Sequence, residues 1–278
     1  NSNGFMDGFP SSRYSLSCSV LGGKDTSMQR DSAYSSARSY NDLKTAKAIG
    51  EEAASRTLRR LNPKKIKTGN YPVIFEAPVA TSIISSLVSA ISGGNLYREN
   101  SFLMNSVGTK IASEILTIDE NPYLIKGNAS TYFDDEGVAV NKRCVVKNGI
   151  LNGYFLSSYS ARRLGMKTSG NAGGAHNLII KNSSIDFNEL VKKMNTGLIV
   201  TELLGHGLNM ITGDYSRGAA GFWVENGEIQ FAVEEITIAS NIKKMLNNIV
   251  AVGNDSYTNG SKYTGSILVS DFTVGSNN

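Results

Sequence analysis

Asn226-Gly227 stands between two strand-like runs, Phe222-Trp223-Val224-Glu225 and Glu228-Ile229-Gln230-Phe231-Ala232-Val233. A type I′ turn needs positive φ at both central residues, which Asn and Gly tolerate, and its twist suits paired antiparallel strands. A second Asn-Gly, at 148–149, separates Gly137–Lys147 from Ile150–Ser157 in the same way. Two such hairpins commit the second half of the chain to antiparallel sheet, and no βαβ alternation argues for a doubly wound fold. The 28 glycines and a charged fraction of only 19% fit a turn-rich chain, while 40% hydrophobic residues supply a sizeable core. The predicted class is α+β, mainly antiparallel β-sheet with Asn-Gly hairpins and several packed helices. Residues 1–125 form a helix-containing part and 126–278 a β-rich part, which join in one continuous domain or stand as two.

Helical spacing of Leu43, Ala46, Ile49, Ala53, Leu58 and Leu61, with Arg59 and Arg60 ahead of Asn62-Pro63, predicts a first helix from Asp42. A second runs from Val79 to Ser92, ahead of Gly93-Gly94, and a weaker third over Ser101–Ile115. Asp186 with Glu189 reads as a capping box for a helix over Phe187–Met194, and another helix is expected over Ala239–Ile249. Strands are expected at Tyr14–Leu21, Tyr71–Phe75, Asn128–Phe133, Asn177–Ile180, Gly197–Leu204 and Gly265–Val274.

The net charge of +4 is scattered, and its one cluster, Arg59 to Lys67, is a helix end running into a loop. This pattern predicts no nucleic-acid partner. No apolar run is long enough to span a bilayer, and the first residues have neither a basic n-region nor an apolar h-region, so neither membrane association nor secretion is expected. Cys18 and Cys144 lie far apart outside any CxxC pair, which fits two buried thiols in a reducing, cytoplasmic compartment. With no initiator Met, the chain reads as a fragment or mature product.

Thr201-Glu202-Leu203-Leu204-Gly205-His206 looks like a zinc-protease helix that lacks its first ligand. Such a helix needs two imidazoles one turn apart, a Glu beside the first and a third ligand. Here Thr201 replaces the first imidazole, and the β-branched run before it and the glycines flanking His206 are poor helix formers. His176 reads as a hydrogen-bonded structural residue. The glycine-rich loop Thr168–Gly174 lacks the P-loop pattern, and phosphate binding is not expected there. In the second helix Ser82, Ser85, Ser86 and Ser89 share one face, an unusual stripe that reads as close packing against small side chains rather than a nucleophile, since no base lies nearby in sequence.

The runs Val200-Thr201-Glu202-Leu203, Thr212 to Gly227, Glu234-Glu235-Ile236-Thr237-Ile238-Ala239, Ser158 to Arg162, Gly173-Gly174 and Met28-Gln29-Arg30-Asp31 strongly resemble the PmbA/TldE family across the whole chain. The resemblance implies a region N-terminal to this chain. It also implies a TldE-type subunit whose partner, a TldD-like zinc metallopeptidase with an HExxxH helix, carries the catalysis. The pair processes peptides, including microcin precursors and an antitoxin, and some family members have been named modulators of DNA gyrase. On this alignment Ser85, Ser86 and Ala90 occupy the HExxxH positions and Val252 that of the third ligand, a Cys. The chain is then expected to hold no catalytic group or metal of its own, the zinc belonging to the partner, and to meet peptide or unfolded polypeptide, for which strand addition is one route. Two alternatives remain open: a stand-alone metallopeptidase built on Glu202 and His206, and a regulatory binding protein. Asp214 and Arg217 are expected to pair across a turn, and Tyr215 and Trp223 to anchor the sheet or an interface, with core packing the principal role for Trp223.

Overall fold

The computed structural model describes residues 1–276 of the chain. In chain order the elements are β1 (Tyr14–Gly22), β2 (Gln29–Ala37), α1 (Ala46–Arg59), β3 (Gly69–Phe75), α2 (Ala77–Ala90), α3 (Gly93–Leu96), β4 (Ile118–Glu120), β5 (Arg143–Lys147) and β6 (Ile150–Leu151). There follow α4 (Ser158–Arg163), β7 (Leu178–Ile180), α5 (Phe187–Met194), β8 (Gly197–Leu204), β9 (Asp214–Glu225) and β10 (Glu228–Asn241). The last are α6 (Ile242–Asn247), β11 (Ile249–Val252), β12 (Lys262–Tyr263) and β13 (Ile267–Ser276). The fold is α+β with mainly antiparallel sheet, as the hairpin signals require.

The largest sheet has the order β10-β9-β8-β3-β13-β11, and β10 also pairs with β13. That extra pairing closes five of its strands into a ring. Only β3 and β8 run parallel within it. Along these strands successive residues enter different cores: Val73, Phe75, Leu198 and Val200 join the main cluster, whereas Ile74 and Ile199 pack with Leu190, Val191 and Met194 of α5. The period of two follows from the pleat. Gly221 sits where a Cβ would come within 1.8 Å of the Ile199 carbonyl oxygen, so β8 and β9 meet at a distance only glycine permits there. A five-stranded sheet, β12-β7-β4-β5-β6, and the hairpin β1-β2 complete the fold. The hairpin packs Leu16, Cys18 and Val20 against Ile49 and Ala53 of α1.

Both Asn-Gly turns take the expected backbone, with φ of 48° and 79° at Asn148 and Gly149 and 53° and 74° at Asn226 and Gly227. The capping box at Asp186 and Glu189 is formed on both sides. Four expectations need correction. Ser101–Ile115 is turn rather than helix: Asn105 and Gly108 take positive φ, and the segment is tied elsewhere, Phe102 N–H donating to the Met210 carbonyl and Ser113 N–H to that of Leu246. Asn128–Phe133 is also turn, since Gly127 and Ser130 bond back to Leu124 and Gly127. The first hairpin is short, pairing only Val146 with Leu151 and Lys147 with Ile150. Finally, β10 runs on to Asn241, whose side chain accepts from Lys243 N–H and starts α6, so the helix expected from Ala239 begins at Ile242.

Candidate functional site

Helix α2 starts with Pro78 in its first turn, where a missing N–H costs nothing. Ala80, Ile83, Ile84, Leu87 and Ala90 are buried in the main core. The other side carries Thr81, Ser82, Ser85, Ser86 and Ser89, all half-buried. Three of these hydroxyls turn back onto the helix itself: Ser85 donates to the Thr81 carbonyl at 2.7 Å, Ser86 to that of Ser82 at 3.0 Å and Thr81 to that of Pro78 at 2.7 Å. Self-satisfied hydroxyls of this kind are weak nucleophiles, and no imidazole or amine bonds to them. Ala90 and Val252 are both 0% exposed, two apolar side chains within the main core. Ser85, Ser86, Ala90 and Val252 supply no thiolate, imidazole or carboxylate. Among the described residues no three His, Cys, Asp or Glu side chains come together as a metal-binding set. The donor chemistry does not fit a zinc ion.

Beside the start of α2 lies a polar pocket of about 410 Å³, walled by β2, α1 and the end of β8. Arg56 on α1 and Arg60 at its C-cap, one turn apart, reach three carboxylates. Arg56 Nε is 3.2 Å from Asp31 and its Nη1 3.1 Å from Glu76; Arg60 lies 3.6 Å from Asp31 and 2.5 Å from Glu202. Burial pushes the Glu76 carboxyl above the usual Glu range, outweighing the pull of Arg56. Burial also works against the Arg56 charge, but Glu76 and Asp31 together outweigh it and raise its pKa. The pair therefore shifts unequally: the guanidinium stays charged, and the cost of burial falls on the carboxylate. Gln29 adds a bond to Glu234 at 2.7 Å, and Arg59 stacks over Phe222 at 4.7 Å.

Glu202 thus belongs to an ion pair on a strand and His206 to an exposed loop beyond it, so they do not share a helix face. His176 is buried elsewhere, its ring Nε2 3.0 Å from the Gly170 carbonyl and its N–H donating to Glu120. It is structural, as its loop setting implies. Asp214 and Arg217 do not pair. Three positions apart on β9 they point to opposite faces. Asp214 accepts from Thr212 and Asn241, which hold its carboxyl below the usual range, while Arg217 donates to the Leu203 carbonyl. Tyr215 is buried edge-on to Phe272, and burial raises its pKa. Trp223 packs edge-on to Tyr71 at 4.9 Å and donates its Nε1–H to Glu225 at 2.7 Å, a core role. The Cys144 thiol is pushed up to about 11, by burial first and then by Asp119, and is no nucleophile at neutral pH. Both cysteines are free and half-buried, less covered than their spacing led one to expect.

Two polar networks were missed by reasoning from sequence. One is the Arg56–Arg60 cluster, whose only local signal was the i, i+4 spacing of two arginines. The other surrounds Glu120, which is 2% exposed and accepts from Arg143, Asn171 and His176 N–H, anchoring the glycine-rich loop. No local signal marked Glu120.

Residues 68–276 match the PmbA/TldA metallopeptidase C-terminal domain, and residues 1–61 its central domain. The chain belongs to the PmbA/TldD family. Metalloprotease PmbA of Escherichia coli O157:H7 is 50% identical over 274 residues, covering 99% of this chain and 61% of that protein. A Bacteroides thetaiotaomicron crystal structure, described as a candidate modulator of DNA gyrase, superposes with a TM-score of 0.94 at 32% identity over 99% of this chain and 63% of its own. TldE of Thermococcus kodakarensis, with a TM-score of 0.84 at 24% identity, covers 95% of this chain and 63% of its own and shows the same fold. The chain thus spans about three-fifths of the length of these relatives. The division between the two PmbA/TldD domains at residues 61–68 falls between α1 and β3, so the Arg56–Arg60 cluster ties one domain to the other. Among the described residues no helix is long and apolar enough to cross a membrane.

Proposed function

We propose that this chain is the core of a noncatalytic, TldE-type subunit that completes a peptide-processing zinc protease by joining a TldD-like catalytic subunit. One observation carries the reading: on the half-buried side of α2, to which the family resemblance assigns the zinc helix, the polar groups are Thr and Ser hydroxyls, and those of Thr81, Ser85 and Ser86 bond to their own helix. A hydroxyl neither holds zinc firmly nor lowers the pKa of its water, so hydrolysis needs a partner's ligands. The metalloprotease name borne by relatives then describes the assembly in which such a subunit works. Two free cysteines fit a reducing cytoplasm as its setting. Peptide or unfolded polypeptide is the substrate class, and shape rather than chemistry is this subunit's contribution.

The test is reconstitution. The full-length protein purified alone is expected to carry no stoichiometric zinc and to cleave no peptide, and mixing it with its TldD-like partner to create chelator-sensitive cleavage. Stoichiometric zinc together with hydrolysis by the isolated protein would overturn the proposal. The alternative centred on Glu202 and His206 finds no donor set among the described residues, where Glu202 is held by Arg60 and His176 by Gly170.

A further inference from the structure

A groove of about 730 Å³ lies far from α2 in sequence, between the extended N-terminal stretch and the turns at 122–132. Its size falls within the ~300–1,000 Å³ typical of small-ligand sites. Aromatic and aliphatic side chains form its walls: Phe9 stands edge-on to Tyr132 at 5.5 Å, and Tyr123, Ile125 and Tyr132 are 42%, 89% and 67% exposed. So concentrated an apolar surface marks an interaction site more often than chance exposure.

Two cations share the groove, and they differ. Lys126 is neutralised by Asp42 at 2.7 Å. Arg38 has no carboxylate within salt-bridge distance among the described residues. One hydrogen bond, from Nη2 to the Asn128 carbonyl at 3.0 Å, fixes the plane of its guanidinium, and Nε is buried without an acceptor. The buried Nε lies out of a ligand's reach, and the groove is offered the Nη edge of a guanidinium tethered through Nη2, with Nη1 making no hydrogen bond among the described residues. A planar guanidinium so held is suited to a carboxylate, which it binds through two parallel N–H···O bonds.

We propose that this groove binds the C-terminal end of a peptide, its free carboxylate on Arg38 and an apolar terminal side chain against Phe9, Ile125 and Tyr132. The walls recognise no particular sequence beyond an apolar end, so the site takes many peptides by a feature that every chain terminus carries. Occupancy leaves the covalent structure of the peptide unchanged. The inference rests on the reading of the assembly as peptide-processing and adds a place where this subunit itself holds substrate or product.

The test uses the full-length protein and an N-terminally fluorescein-labelled tetrapeptide ending in phenylalanine and leucine, prepared as the free acid and as the C-terminal amide. Fluorescence anisotropy is expected to show the acid binding about tenfold more tightly than the amide, the difference worth one charge-assisted hydrogen bond. Arg38→Gln is expected to remove that preference by weakening the acid more than the amide, and Arg38→Lys to restore part of it. Ile125→Asp, at a side chain too exposed to affect folding, is expected to weaken the acid more than the amide. Equal binding of acid and amide, absence of binding, or an Arg38→Gln protein that keeps the preference would each overturn the site. Carboxylate-dependent binding without partner-dependent cleavage would leave this site standing and sink the proposed function; the converse would sink the site alone.

Discussion

Helices α1 and α2 are each fourteen residues long, and each buries one face and carries polar side chains along its flank. They answer their polar groups in opposite ways. On α1, Arg56 and Arg60 reach carboxylates on β2, at the start of α2 and on β8, so the helix is held in one place by partners remote in sequence. On α2, hydroxyls bond to carbonyls one turn back, and nothing outside the helix is needed to satisfy them. A polar face that depends on distant partners specifies how two parts of a chain dock. One that satisfies itself specifies nothing within the chain and stays available to something outside it. The first kind is costly to disturb and the second cheap.

The largest expected effect is on the α1 side. Arg56→Ala leaves Asp31 and Glu76 facing each other without their shared cation, and it should cost about 3 kcal/mol, the low end for breaking a buried pair because Arg56 is 20% exposed. Urea denaturation of the full-length protein measures this, and a loss below about 1 kcal/mol would place the cluster among ordinary surface pairs.

A smaller effect concerns pH. The folded-state pKa of Glu76 lies above its ordinary 4.5, so between those two values the folded protein binds more protons at this site than the unfolded chain. By linkage, stability contributed by this group is fully present below the unfolded value and is lost as pH rises through the folded one. Stability curves for the wild type and Glu76→Gln should accordingly converge or cross as pH rises through that window, the wild type losing ground. A wild type that gains on the variant over the same range would reverse the sign assigned to burial and the Arg56 pair.

Least of all is expected from α2. Ser86→Ala removes a hydroxyl that bonds only to the Ser82 carbonyl and improves helix propensity, so it should raise stability by about 0.5 kcal/mol. Thermal melts check the stability, and partner-dependent cleavage should be unchanged. A loss of activity without a loss of stability would show that the serine face touches substrate directly, and the contrast between the helices would sharpen into a division of labour.

Much of the framework was legible in the residues. The two Asn-Gly turns, the capping box at Asp186, the apolar faces of both long helices and the run of β8 were all predictable. Ser101–Ile115 misled because bonds to remote carbonyls hold it as turns whose apolar spacing imitates a helix, and Asn128–Phe133 because local turns around Gly127 stand where its residue types suggest a strand. The Asp214–Arg217 pair failed because an odd separation on a strand divides two side chains between faces. At the candidate site, the serine stripe of α2 was readable, but the role of Glu202 was not, since its partner Arg60 lies far away in sequence.

What the sequence alone determined is therefore whatever is decided within a few residues: dihedral preferences at turns, caps, and the period of apolar positions. Tertiary structure decided which polar groups are answered and by whom. It closed five strands into a ring, set Arg56 and Arg60 against carboxylates from three elements and left Arg38 without one among the described residues. The physical reason is range: a turn forms from the torsions of its own residues, whereas an ion pair forms only after the chain between its members has closed.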